Sequence, residues 1–157
     1  MVGRRTLRFN SLDDVMPEVD RLLDGGHRTI GKWSLGQICN HLTGAVQLSM
    51  AQVDVASFAP GPVQATVGKV LKRLVLGRGR LPDGVKLPEK YEPLAGLDAR
   101  TEVDALRAAL RSFAEHPGPF GSHPMFGPLR REEWSRFHTI HAAHHLGFAI
   151  PQGPTDG

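Results

Sequence analysis

The sequence predicts an all-α fold, a bundle of amphipathic helices, on three observations. Apolar residues recur at helical spacing in successive segments, capping signals and Pro/Gly pairs punctuate those segments, and no run alternates as a half-buried strand would. At 157 residues, 40% hydrophobic and 22% charged, the chain suits one soluble domain, residues 1–157, around a single core. No apolar run approaches the roughly 18 residues of a membrane span.

The first helix is expected to begin at Ser11, with Asp14 at the third position and Leu12, Val15, Val19, Leu22 and Leu23 turned inward; Gly25-Gly26 ends it. Pro17 is its weak point, because an interior proline costs about 3 kcal/mol. Ser34-Leu35-Gly36-Gln37 forms a capping box for a second helix, whose apolar positions run from Leu35 through Ile38, Cys39, Leu42 and Val46 to Val53. His41 stands at the edge of that stripe, facing the bundle interior. Beyond Pro60-Gly61-Pro62, a third helix carries Val63, Val67, Val70, Leu71, Leu74 and Val75 inward and Lys69, Lys72 and Arg73 outward. A long Gly/Pro-rich loop, residues 77–97, follows, of the length that serves as a lid or a partner contact. Thr101 is expected to cap the fourth helix, with Val103, Leu106, Leu110 and Phe113 as its stripe and Pro117-Gly118-Pro119 as its stop. The last helix starts near Glu132-Glu133-Trp134, where acidic residues suit the helix dipole, and runs to about Ile150; the tail, residues 151–157, is expected to be loose.

That last helix holds four of the eight histidines. Trp134, Phe137, His138, His141, His145 and Phe148 fall on one helical stripe, so imidazoles occupy positions where core residues belong. His141 and His145, four residues apart, project side by side from successive turns, as two ligands of one metal ion do. Buried imidazoles are costly without partners, and a shared cation satisfies several at once. Only the second and last helices offer inward-looking histidines, which makes His41, His141 and His145 the candidate trio. Three neutral imidazoles with no fourth protein ligand describe an open site, able to activate water or a thiol. His138, one turn away, is read either as a satisfied core histidine or as a catalytic proton carrier behind the ligands. His144 is a flanking residue that replaces a ligand if the helix is rotated. His123 precedes a proline in a turn and reads as structural, and His27 and His116 as surface positions.

Cys39 is the sole cysteine, which excludes an internal disulfide and a thiolate zinc site and suits a cytoplasmic location; it points away from His41 and reads as inert. Arg4-Arg5 resembles a twin-arginine signal without its apolar segment, so the N-terminus reads as mature. There is no G-x-S-x-G elbow, P-loop or dinucleotide fingerprint. The segment from residue 69 to 90 is basic, the basis of a rival reading as a binding module for an anionic partner; nucleic acid is not expected, because no aromatic residues interleave.

The segments Trp33-Ser34-Leu35-Gly36-Gln37-Ile38-Cys39-Asn40-His41-Leu42 and His141-Ala142-Ala143-His144-His145-Leu146-Gly147-Phe148 resemble the DinB/YfiT-like superfamily of metal-dependent proteins. His123-Pro124-Met125-Phe126-Gly127 with Glu132-Glu133-Trp134 looks like one branch of it, a domain of unknown function. The resemblance implies an up-and-down four-helix bundle with one additional helix. It implies a divalent metal ion, zinc or nickel, held by one histidine of the second helix and an H-x-x-x-H of the last, here His41, His141 and His145. Relatives include S-transferases that use mycothiol, bacillithiol or glutathione, and a maleylpyruvate isomerase. Where relatives carry a polar residue after the last ligand, this chain has Leu146, Gly147 and Phe148. The expectation is a metal-dependent enzyme acting on a small-molecule substrate such as a thiol, and a homodimer suits a bundle of this size.

Overall fold

The computed structural model describes residues 3–52, 62–82, 84 and 92–152. Val53, the turn at residues 60–61, Val63's side chain, Asp83, most of the basic loop with Lys86 and Lys90, and the tail from 153 onward lie outside the described residues.

Ser11 caps as expected, its hydroxyl receiving the Asp13 N–H while Asp14 reaches back, but what it opens is a single 3-10 turn, Leu12–Asp14. The helix proper, α1, is Val15–Asp24. Pro17 therefore stands in the first turn, where its missing N–H would have had no partner anyway, and its cost disappears. The box at Ser34 and Gln37 closes with bonds of 3.2 and 2.9 Å and starts α2, Leu35–Ser49. Helix α3 is Pro62–Arg78 and α4 is Ala99–Glu115. The α4 cap is Asp98 rather than Thr101: its carboxylate takes both the backbone N–H and the hydroxyl of Thr101, each at 2.8 Å, so Thr101 becomes part of the first turn. Helix α5 is Arg131–Leu146, and Glu133 turns back to accept the Arg130 N–H at 3.0 Å.

The fold is mostly helical rather than all-α, because two small antiparallel sheets join the helices. Strand β1, His27–Thr29, pairs with β4, Ala149–Pro151, and β2, Ser122–His123, pairs with β3, Gly127–Pro128. Helix α5 accordingly stops at Leu146 instead of Ile150, since residues 149–151 pair with β1. Strands of two or three residues are too short to show a period.

Two apolar clusters hold the helices. Val15, Val19 and Leu22 of α1 meet Leu35, Ile38 and Leu42 of α2, Val103 and Leu106 of α4, and Ala142 and Leu146 of α5. Gly36 lets α2 approach the entry to α4, since a Cβ there would sit 2.8 Å from the Leu97 carbonyl oxygen. The second cluster joins Val46 of α2 and Met50, the residue that caps its C-terminus, to Val75, Phe113, Phe126, Trp134 and Phe137. Helix α5 serves both clusters and is buried without interruption from Phe137 to Ala142, so it is a central helix rather than one with a single inward stripe.

Helix α3 departs furthest from expectation. Val75 is buried and Leu71 half-buried, but Val67, Val70 and Leu74 are 59%, 57% and 43% exposed. Lys72, expected to face outward, is half-buried and pairs with Glu133 at 2.9 Å. The inward face of α3 thus runs through Gly68, Leu71, Lys72 and Val75, one position round the helix from the expected one. Among the described residues no helix is long and apolar enough to cross a membrane.

Candidate metal centre

The site forms where the second turn of α2 crosses the C-terminal half of α5. His141 and His145 stand on one side of α5 because they are four residues apart, and His41 meets them from α2. The Nε2 atoms of His41 and His141 are 3.0 Å apart and those of His145 and His141 3.1 Å, and each of the three rings offers a nitrogen within 4.8 Å of the other two. Nitrogens bound tetrahedrally at 2.0–2.1 Å to one ion are about 3.3–3.4 Å apart. The triad can hold a metal ion with small side-chain adjustments.

Aromatic rings set the imidazole planes. Phe137, one turn before His141, stacks on its ring at 5.0 Å and forms the floor. Trp33, immediately before the α2 cap, stacks on His145 at 5.4 Å and tilts over His41 at 5.0 Å. His141 is buried, whereas His41 and His145 are only half-buried, so the centre opens to solvent on their side.

Burial governs the protonation of these rings. It lowers His41 to about 4, helped by the charge of His144, and His145 to about 2, helped by His41, His144 and Arg4. His141 is pushed well below its usual value by burial, then by His145, His41, His138 and His123. All three are neutral at pH 7, the form that ligates a metal.

Neutrality exposes a hydrogen-bonding conflict at His141. One ring nitrogen carries either one proton or one lone pair, so His141 Nε2 can make one good hydrogen bond, yet it has two Nε2 neighbours. Its Nδ1 is buried and has no partner among the described residues. A cation among the three Nε2 atoms would take a lone pair from each of them at once.

The chain belongs to the family described as Protein of unknown function (DUF1569), matched over residues 1–152. No curated protein and no solved structure matches it.

The other histidines of this DUF1569 protein lie apart from the triad or beside it. His138 is buried against Trp134 and Phe113, and its Nε2 is 3.0 Å from Ser49 Oγ. Ser49 spends its own proton on the Val46 carbonyl at 2.6 Å, so His138 Nε2–H must be the donor. Burial, then His123, lowers His138 to about 3. His123 holds the β2–β3 hairpin, its Nδ1 accepting the Met125 and Phe126 N–H groups at 3.1 and 3.2 Å. His144 faces Arg4, and His27 and His116 bond backbone carbonyls at 2.8 and 2.9 Å. Cys39 is buried, and burial followed by Glu102 pushes its thiol up to about 12, consistent with an inert side chain.

Two contributors were not singled out from sequence. Trp33 had a local signal, since it precedes His41 by eight residues, about two helical turns. Arg4 had none, because its partner is 140 residues away.

Proposed function

We propose that this protein binds one divalent metal ion through Nε2 of His41, His141 and His145 and is a metal-dependent enzyme of the DinB/YfiT-like type, acting on a small-molecule thiol or using water. The observation that carries the reading is the crowding at His141 Nε2, which two neutral neighbours approach at 3.0 and 3.1 Å. An all-imidazole set suits zinc or nickel. A bound ion of this kind lowers the pKa of a coordinated thiol or water toward neutrality. The protein keeps its ligands unprotonated by burial, fixes their planes with Trp33 and Phe137, and leaves an approach past His41 and His145. The proposed bundle consists of α1, α2, α4 and α5, which share the first apolar cluster, with α3 as the additional helix.

Metal content of untagged protein tests this, beside the same preparation of His41→Ala. The expected result is close to one zinc or nickel per chain in the first and little in the second. A wild-type protein that takes up no zinc, nickel, manganese or iron on incubation contradicts the proposal.

A second reading, a binding module for an anionic partner, draws on α3, where exposed Val67, Val70 and Leu74 stand beside exposed Lys69 and Arg73. It predicts binding to anionic vesicles that weakens steeply with salt and is lost in a Lys69→Glu/Arg73→Glu variant. Lys72 is unsuited to that test because it pairs with Glu133. Salt-insensitive or absent vesicle binding contradicts this reading.

A further inference from the structure

The three histidines of the centre do not stand on equally firm backbone. His41 lies in the second turn of α2 and His141 inside α5, each with helix on both sides. His145 is the penultimate residue of α5. The last carbonyls of a helix have no partners within it, and the turn that bears them is the one that frays. The position of the third ligand therefore depends on what holds the end of α5.

Arg5, far away in sequence, holds it. Its Nη2 donates one proton to the Leu146 carbonyl at 3.2 Å and another to Glu18 Oε1 of α1 at 2.6 Å. Its Nε donates to the Ala149 carbonyl at 2.8 Å, and its backbone N–H to the Gly147 carbonyl at 2.9 Å. The Arg5 and Glu18 side chains are only 20% and 12% exposed, so the pair is largely shielded from water. A planar guanidinium with fixed donors joins α1 to the end of α5 in one geometry, and its charge meets the negative end of the helix dipole. Gly147 permits the approach, because a Cβ there would lie 2.6 Å from the Arg5 carbonyl oxygen. Beyond the helix, the Ile30 N–H bonds the Phe148 carbonyl at 2.9 Å, but Arg5 is the side chain that takes the Leu146 carbonyl, next to His145.

We propose that Arg5 is a positioning residue of the metal centre: held by Glu18, it clamps the last turn of α5 and so fixes where the His145 imidazole stands. The inference rests on the metal reading above. Trp33 stacks on the His145 ring and sets its plane, whereas Arg5 sets the backbone that carries the ring.

The test titrates full-length protein with cobalt, whose visible spectrum reports both affinity and coordination, well below the melting temperature of every variant. Arg5→Met is compared with Val103→Ala, which thins the first apolar cluster from α4 and lowers stability without touching the end of α5. Arg5→Met is expected to bind cobalt about tenfold more weakly, with an altered visible spectrum as His145 leaves its place. Val103→Ala is expected to keep the affinity and spectrum of wild type. Arg5→Lys, which keeps a cation between Glu18 and the carbonyls, is expected to fall between Arg5→Met and wild type. Wild-type affinity and spectrum in Arg5→Met, or an equal loss in Val103→Ala, overturns the role of Arg5. If Arg5→Met does not fold, Glu18→Gln and Arg5→Lys carry the same test, and wild-type affinity and spectrum in both overturn it. Failure of the wild type to hold cobalt is a different result, which removes the metal reading and this inference with it.

Discussion

His138 and His141 are neighbours on one face of α5, 3% and 7% exposed, yet their nitrogens are treated differently. His138 Nε2–H meets one acceptor, Ser49 Oγ, whose own proton is already committed to Val46. His141 Nε2 is crowded by two imidazoles, and its Nδ1 has no partner among the described residues. Burial alone therefore does not separate a core histidine from a ligand. The neighbours do: two imidazole nitrogens that could each turn a lone pair on one cation, against one hydroxyl already committed elsewhere.

Acid should act on both kinds of histidine and gives the largest effect in metal-free protein. His41 and His123 stay neutral down to about 4 and His138 to about 3, whereas the same residues in an unfolded chain take up protons near pH 6.5. The unfolded state then binds more protons, so their contribution is complete above pH 6.5 and is lost as pH falls toward 4 and below. Each such histidine adds up to about 1.4 kcal/mol per pH unit to the slope. Urea unfolding at pH 7.5, 6 and 5 measures it, and stability that does not change with pH across that range contradicts the burial of these rings. A smaller effect separates the two histidines: Ser49→Ala leaves His138 Nε2–H without its acceptor and costs about 1–3 kcal/mol, with metal content unchanged. Loss of metal in that variant would show that His138 and the triad are one unit.

What could be read from the sequence follows the range of the interaction. The Ser34 and Gln37 box is three residues wide and was legible, as was the pairing of His141 with His145 along one helix. His41 required only that two helices face each other. The Asp98 cap was missed because Thr101 is an equally good capping residue and the choice depends on which carboxylate or hydroxyl is free to accept. The α5 terminus was missed because Thr29 and Ala149 pair across 120 residues. The exposed side of α3 was missed because Val67, Val70 and Leu74 have helical spacing, which shows that residues share a face but not that anything covers it. Arg4 and Arg5, read only as a failed export signal, act through contacts with the far end of the chain.

The zinc-induced rise in melting temperature of untagged wild type, His138→Ala and His141→Ala distinguishes a bound ion from a merely buried row of imidazoles. At a thousandfold excess over the dissociation constant, a site present only in the folded state raises the melting temperature by roughly 10 °C. That rise is expected in wild type and in His138→Ala, from a lower starting point in the latter, and none in His141→Ala. A full rise in His141→Ala, or its loss in His138→Ala, would contradict the assignment of the ion to His41, His141 and His145.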